Sequence, residues 1–182
     1  MADVAELIWR YSMSENWYAI YTKRHYEKKF CENVLGLIQQ MEFYGETYLP
    51  LRIEEAQWSD RKKRKSVPLF NNYVFVKHDD NGFDKLKKMP GFCEYVRFSQ
   101  YPAVIPEEQI EMIKNISSSD RNVSSGSMTL MQGDKVRISK GPMKDYEGTL
   151  VENQGSSKVA IEIKNFSQCL LVNVAIDNIV KL

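Results

Sequence analysis

Apolar residues follow two different patterns along the first 116 positions, and together these patterns predict a mixed α+β unit. An aromatic-rich run at 17–22 (WYAIYT) favours a strand, and the apolar residues from Tyr26 to Met41 recur at helical spacing. The remaining predicted elements are strands at 45–51, 69–78 and 93–98, a polar hairpin between 53 and 67, and helices near 83–89 and at 106–116.

The pattern changes after residue 116. Positions 117–127 read SSSDRNVSSGS, a serine-rich stretch typical of a flexible linker. Residues 128–182 show no helical period. They contain short alternating runs separated by Gly, Asn, Asp and Ser, which favours a small closed β-barrel over a helical hairpin. Its expected core comprises Val136, Ile138, Leu150, Val159, Ile161 and Val172.

Composition narrows the class of protein. The chain has 25 basic and 24 acidic residues, so any nucleic-acid contact must come from local clusters. Three separated cysteines and two histidines argue against a disulfide frame or a metal site. We find no nucleophile motif, phosphate-binding loop, signal peptide or membrane-length apolar run. We therefore expect a cytoplasmic protein that is not an enzyme, has no cofactor and does not bind a membrane.

One motif in the C-terminal part is specific. Residues 133–152 read GDKVRISKGPMKDYEGTLVE, in which apolar Val136 and Ile138 alternate with charged residues and glycines allow tight turns. Gly148 enters the next strand, where a missing side chain permits a bend or a close backbone approach. The order of these residues resembles the KOW motif, which implies an SH3-like β-barrel.

The N-terminal part carries a second resemblance. Segments 17–29, 68–76, 90–98 and 102–113 are similar, in order and spacing, to the NGN domain of the NusG family of transcription elongation factors. The resemblance implies an α+β protein: an N-terminal extension (1–16), an NGN domain with an antiparallel sheet and flanking helices (17–116), a flexible linker (117–127) and a KOW domain (128–182). Phe70-Asn71-Asn72-Tyr73 stands where these proteins usually have Phe-Pro-Gly-Tyr.

This resemblance implies a bacterial transcription elongation or antitermination factor that binds RNA polymerase and suppresses pausing or termination. TKR after the first strand, PLFxNY and VRFxxxPAxxP are similar to specialised RfaH-like and UpxY-type members, which implies regulation of selected operons such as those for surface polysaccharide. For the barrel it implies a ribosomal protein or Rho as partner. The alternative is a ribosome- or RNA-associated KOW protein that works outside the transcription complex.

Alternation along the strands separates two faces of the sheet. An aliphatic-rich face, with Ile20, Val74 and Val76, suits the amphipathic helices, whereas aromatic residues gather on the other face. Aromatic clusters with polar tips serve as docking anchors, although they can equally be core. With the family resemblance, the predicted RNA polymerase-binding residues are Trp17, Tyr21, Phe70, Tyr73 and Tyr95.

Two basic clusters are candidates for nucleic-acid binding. The first follows the first strand, at Lys23, Arg24 and His25, where the resemblance implies contact with non-template DNA in the transcription bubble. The second lies in the polar hairpin and comprises Arg61, Lys62, Lys63, Arg64 and Lys65. For both clusters the alternative is an ordinary solvated surface.

Overall fold

A computed structural model describes residues 15–57, 62–119, 123–127, 133–154 and 156–182. These residues form two compact units. The first unit contains the described residues up to Leu49 together with Asn72–Glu107, and the second contains Pro50–Asn71 together with Glu108–Leu182. Residues 50–71 thus belong to the second unit although they lie between two segments of the first unit in the sequence.

The strands, in chain order, are β1 Asn16–Thr22, β2 Glu46–Tyr48, β3 Leu51–Gln57, β4 Lys62–Pro68, β5 Tyr73–His78, β6 Phe92–Tyr95, β7 Arg97–Phe98, β8 Tyr101–Pro102, β9 Val104–Ile105, β10 Ser124–Ser127, β11 Lys135–Ile138, β12 Glu147–Gln154, β13 Ser156–Glu162, β14 Gln168–Val174 and β15 Ile179–Lys181. The helices are α1 Glu27–Gln39, α2 Gly82–Lys87 and α3 Glu107–Ser119, and a 3₁₀ turn spans Ile176–Asn178. None of the described helices is long and apolar enough to cross a membrane.

The first unit is built on an antiparallel sheet in the order β2-β5-β1-β6, with β9 also paired to β1. Ile20 on β1 lies directly opposite Val74 on β5, and both are fully buried with Phe30 and Val34 of α1. The aliphatic face predicted from alternation is therefore the one that the helices cover. Removing the Phe30 ring would cost about 3–5 kcal/mol of unfolding free energy, as truncation of a fully buried aromatic generally does.

A histidine lies in this core. His78 is fully buried, with Nδ1 2.6 Å from the Asp79 carbonyl oxygen and Nε2 3.2 Å from the Tyr95 hydroxyl. Burial lowers the pKa of His78 and raises that of Tyr95. Gly82 at the start of α2 packs against the imidazole, since a Cβ there would lie 2.4 Å from Nδ1.

The position of Tyr95 corrects one prediction. Alternation assigned Tyr95 to the same face as Tyr21, but Tyr95 lies opposite Ile20 in the β1–β6 register and joins the helix-covered core. The reason is that alternation fixes which residues of one strand share a face, while the pairing between strands decides which face that is.

The second unit has a six-stranded antiparallel sheet in the order β10-β14-β13-β12-β11-β15, together with the β3–β4 hairpin and most of α3. The predicted barrel core is buried except for Leu150, which is half-buried. Gly148 is required by a close backbone approach, because a Cβ there would lie 2.4 Å from the Ala160 carbonyl oxygen. The α+β fold class predicted from the sequence is confirmed.

The predicted linker at 117–127 differs in the structure. Helix α3 continues to Ser119, where the Ser118 hydroxyl donates to the Asn115 carbonyl oxygen at 2.9 Å. Residues Ser124–Ser127 form β10, which pairs with β14. Strand pairing uses backbone groups, so serine residues can extend a sheet, and Val123 just before β10 is buried.

Candidate functional site: an aromatic pair beside a basic turn

Tyr21 and Tyr73, the aromatic pair, lie directly opposite each other on β1 and β5. Their ring centroids are 5.2 Å apart at an interplanar angle of 63°, an edge-to-face contact, and both residues are half-buried. Burial raises the pKa of Tyr73, with smaller contributions from Tyr21 and from Glu94, which lies opposite Tyr21 on β6. The pair therefore presents two amphipathic rings that keep part of their surface accessible.

Asn72 holds this pair in place. Its backbone has φ +67, a left-handed conformation that asparagine tolerates better than most residues. Its carbonyl oxygen accepts from the Thr22 amide at 2.7 Å and from the Thr22 hydroxyl at 3.2 Å, and its side-chain amide donates to the Tyr21 hydroxyl at 3.4 Å. Asn72 thus supplies the turn conformation that glycine would otherwise provide and adds contacts that glycine cannot make.

A buried carboxylate connects Asn72 to the start of helix α1. Glu27 is 5% exposed, and its Oε1 accepts from the Asn72 backbone amide at 2.7 Å. It lies in the first turn of α1, where a negative charge is favoured by the helix dipole. Glu27 therefore fixes the beginning of β5 relative to the end of β1.

The segment Lys23–Tyr26, the basic turn, joins β1 to α1. The Tyr26 amide donates to the Lys23 carbonyl oxygen at 3.0 Å, and His25 has φ +60. The Lys23 amide donates to the Gly91 carbonyl oxygen at 2.9 Å. Lys23, Arg24 and His25 are exposed, and they begin two residues after Tyr21. Sequence and fold thus bring the aromatic pair and the three predicted DNA-binding residues together at one end of β1.

The other three predicted docking residues are buried in this structure. Trp17 is 2% exposed, and its indole N–H donates to the Glu107 carboxylate at 3.0 Å. Tyr95 is 3% exposed and lies in the core described above. Phe70 is 1% exposed and belongs to the second unit, where its ring meets Phe166 edge-to-face at 5.3 Å between centroids.

The second basic cluster lies along β4, apart from Arg61, which is outside the described residues. Lys62 and Lys63 are the first two residues of β4. Arg64 and Lys65 are exposed, and the register places them opposite Glu55 and Glu54. Of these acidic residues, Glu54 forms an ion pair with Arg52 on its own strand.

Two residues of the site were missed by sequence reasoning. Asn72 carried a signal, because asparagine is enriched at positive φ and the family resemblance aligns it with the glycine of Phe-Pro-Gly-Tyr. Glu27 carried none, since its partner is a backbone amide 45 residues away. Among the described residues, no group of three or more His, Cys, Asp or Glu could hold a metal ion.

An antiparallel sheet covered by helices is followed along the chain by a β-rich unit with a KOW-like motif, an arrangement that fits the NGN and KOW domains of NusG-like transcription factors. The family described as "Transcription termination factor nusG" matches residues 15–114, more than half of the 182-residue chain. The chain belongs to the NusG family, whose members are transcription factors and not enzymes.

Individual proteins agree with this assignment. The "Transcription termination/antitermination protein NusG" of Thermus thermophilus is 22% identical over 93% of this chain and 100% of its own length. The protein of the same name from Staphylococcus epidermidis is 26% identical, covering 93% of this chain and 97% of its own. The solved structure titled "Domain interaction in Thermotoga maritima NusG" has a TM-score of 0.63 at 21% identity, over 93% of this chain and 98% of that one, and supports the fold.

Proposed function

We propose that this protein binds RNA polymerase through the aromatic pair and modulates pausing or termination during transcription. The observation that carries the proposal is the adjacency of two accessible, rigidly held tyrosines and an exposed basic turn. Tyrosines are effective docking anchors because a large apolar ring and a hydroxyl are presented at small entropic cost. Membership of the NusG family supports a role in termination or antitermination.

The buried members of the predicted docking set have different proposed roles. Trp17 and Tyr95 support the sheet from which the aromatic pair projects. Phe70 contributes to polymerase binding only when its ring is not packed against Phe166.

Nucleic-acid contact is proposed for the basic turn. Lys23 and Arg24 bind phosphates of the non-template strand, and Arg24 or His25 stacks on an unpaired base. All three residues are exposed and lie close to the aromatic pair, so polymerase docking would bring them to the bubble. The basic run 61–65 is a second, weaker candidate, because acidic residues face part of it.

The finer assignments rest on sequence motifs. We propose a specialised member of the family that acts on selected operons, with an NGN domain at 17–116 and a KOW domain at 128–182. The KOW domain recruits a ribosomal protein or Rho. We propose that the protein acts on transcription in the cytoplasm.

An in vitro pausing assay with purified bacterial RNA polymerase tests the proposal. We expect Tyr73→Ala to abolish polymerase binding and the effect on pausing. Lys23→Ala should keep polymerase binding but lose dependence on the template sequence. Tyr44→Ala is a matched control, because Tyr44 is 52% exposed in the same unit but lies outside the aromatic pair.

Equal activity of wild type, Tyr73→Ala and Lys23→Ala would contradict the site assignment. Pull-down of ribosomal subunits without polymerase would instead favour a KOW protein that acts on the ribosome or on RNA outside the transcription complex.

A further inference from the structure

A second pair of aromatic residues lies on a separate two-stranded ribbon of the first unit. Strands β7 and β8 form this ribbon, Arg97–Pro102, which we name the aromatic hairpin, and Phe98 lies directly opposite Tyr101. The hairpin is anchored at its base, because the Val96 amide donates to the Ala19 carbonyl oxygen and the Ala103 amide donates to the Val96 carbonyl oxygen, both at 2.9 Å. Its position on the sheet is therefore fixed.

Both rings are unusually accessible. Phe98 is 76% exposed and Tyr101 is 78% exposed, whereas Val96 and Ala103 at the base are half-buried and buried. Directly opposed residues of an antiparallel pair project to the same face, so both side chains lie on one face of the ribbon, which we call the aromatic platform. Single exposed apolar residues are common on protein surfaces, but an adjacent exposed pair indicates an interaction site.

The residues around the platform favour a nucleic acid over a protein as the occupant. Between Tyr95 and Pro106 the only charged residue is Arg97, so the aromatic hairpin carries positive charge and no carboxylate. Protein hot spots need a surrounding rim that excludes water, whereas this tip consists of exposed Ser99 and Gln100. Adjacent aromatic faces beside a cation are the usual platform on which unpaired bases stack.

Electrostatic attraction and base stacking come from opposite faces of the ribbon. Arg97 alternates with Phe98 along β7 and therefore lies on the opposite face of the ribbon. It attracts a polyanion to the hairpin without competing for the face on which bases stack. The tip itself is preorganised, since Ser99 holds a left-handed φ of +58 within the two-residue turn.

We propose that the aromatic hairpin binds single-stranded nucleic acid by stacking bases on Phe98 and Tyr101, with Arg97 supplying the electrostatic attraction. This site is distinct from the basic turn, because it uses different residues on a different ribbon of the first unit. It binds without base specificity, since every base has a π-face to stack.

The test measures binding of a short fluorescent oligothymidine to the full chain at low salt. We expect Phe98→Ala combined with Tyr101→Ala to weaken binding by at least about thirtyfold, as loss of two stacked bases generally does. Arg97→Gln should lower the slope of log K against log salt by about 0.7, the value for one phosphate contact on a single strand. Tyr44→Ala, an exposed tyrosine of the same unit outside the hairpin, should bind like wild type.

A spectroscopic signature identifies stacking directly. In Tyr101→Trp, the indole emission added relative to wild type should be quenched by the oligothymidine. Repeating the titrations in an Arg24→Ala background separates this site from the basic turn, because the effect of the hairpin substitutions should persist there. If the basic turn does not bind DNA, Arg24→Ala alone has no effect and the hairpin result is unchanged.

Two results would overturn the inference. One is an affinity for oligothymidine that the double alanine variant leaves unaltered, together with unquenched emission in Tyr101→Trp. The other is a double variant that loses RNA polymerase binding while retaining the oligothymidine, which would make the hairpin a protein-docking surface.

Discussion

The two units bury different kinds of residue. Among the residues that the structure describes, the first unit buries Thr22, Glu27 and His78, whereas the buried polar residue of the second unit is Thr149. In the first unit, Thr22 and Glu27 hold Asn72 and so determine the geometry of the aromatic pair. The second unit depends instead on aliphatic residues and a close backbone approach at Gly148. In the first unit, buried polar groups therefore hold the aromatic pair in place, whereas in the second unit apolar packing holds the six-stranded sheet together.

The largest expected effect tests the packing of the second unit. In Gly148→Ala, the added Cβ would collide with backbone at Ala160, which cannot move without separating β12 from β13. We expect a loss of about 3 kcal/mol in the unfolding free energy of this unit, measured by hydrogen exchange of its amides.

Gly36→Ala is the matched control for that substitution. Gly36 lies within α1, and nothing is within 4 Å of a Cβ placed there. It should stabilise the first unit by about 0.5–1 kcal/mol, because alanine favours a helix over glycine. An equal loss from both substitutions would show that close packing at Gly148 is not the cause.

The next effect tests the polar contacts of the first unit. Glu27→Leu would leave the amide of the half-buried Asn72 without its acceptor, and we expect a cost of about 2 kcal/mol. Glu27→Gln keeps a carbonyl acceptor at the same place and should cost less than about 1 kcal/mol. Chemical denaturation measures both. If the two variants were equally stable, the Glu27–Asn72 hydrogen bond would not be what the carboxylate contributes.

The smallest effect is a dependence on pH that belongs to the first unit, which contains both histidines. Burial lowers the pKa of His78 below its ordinary value of 6.5, so below that pH the unfolded chain binds a proton that the folded unit does not. Stability should therefore fall as the pH drops below 6.5, by up to about 1.4 kcal/mol per pH unit, until the folded-state pKa is reached.

A His78→Phe variant is the comparison for this dependence. The variant should lose the fall in stability that begins near pH 6.5 in the wild type. The second unit, which contains no histidine, should not show this fall. The slope is measured by hydrogen exchange of amides in the first unit. If it is unchanged in the variant, the acid sensitivity comes from carboxylates instead.

Much of the fold could be predicted because its elements have strong local patterns. Helix α1 and strand β5 carry clear helical and extended signals, and the KOW motif located the turns of the second unit. The assignment of Tyr95 was wrong because strand pairing cannot be deduced from alternation within one strand. The serine-rich segment gave no sign of β10, since that strand depends on a partner more than 40 positions away.

The site was predictable only in part. Tyr21 and Tyr73 keep part of their surface accessible and the basic turn is exposed, as the proposed binding requires. The burial of Trp17 and Phe70 depends on tertiary contacts with Glu107 and Phe166, which no local pattern contains. The aromatic hairpin was hidden for the opposite reason, because exposed and buried aromatic residues look alike in a sequence.

The contact between Gly82 and His78 has a consequence for how this protein can diverge. No side chain at position 82 can coexist with the imidazole in its present place, because the first added carbon would lie only 2.4 Å from Nδ1 of His78. Descendants can therefore enlarge residue 82 only after, or together with, a change at residue 78.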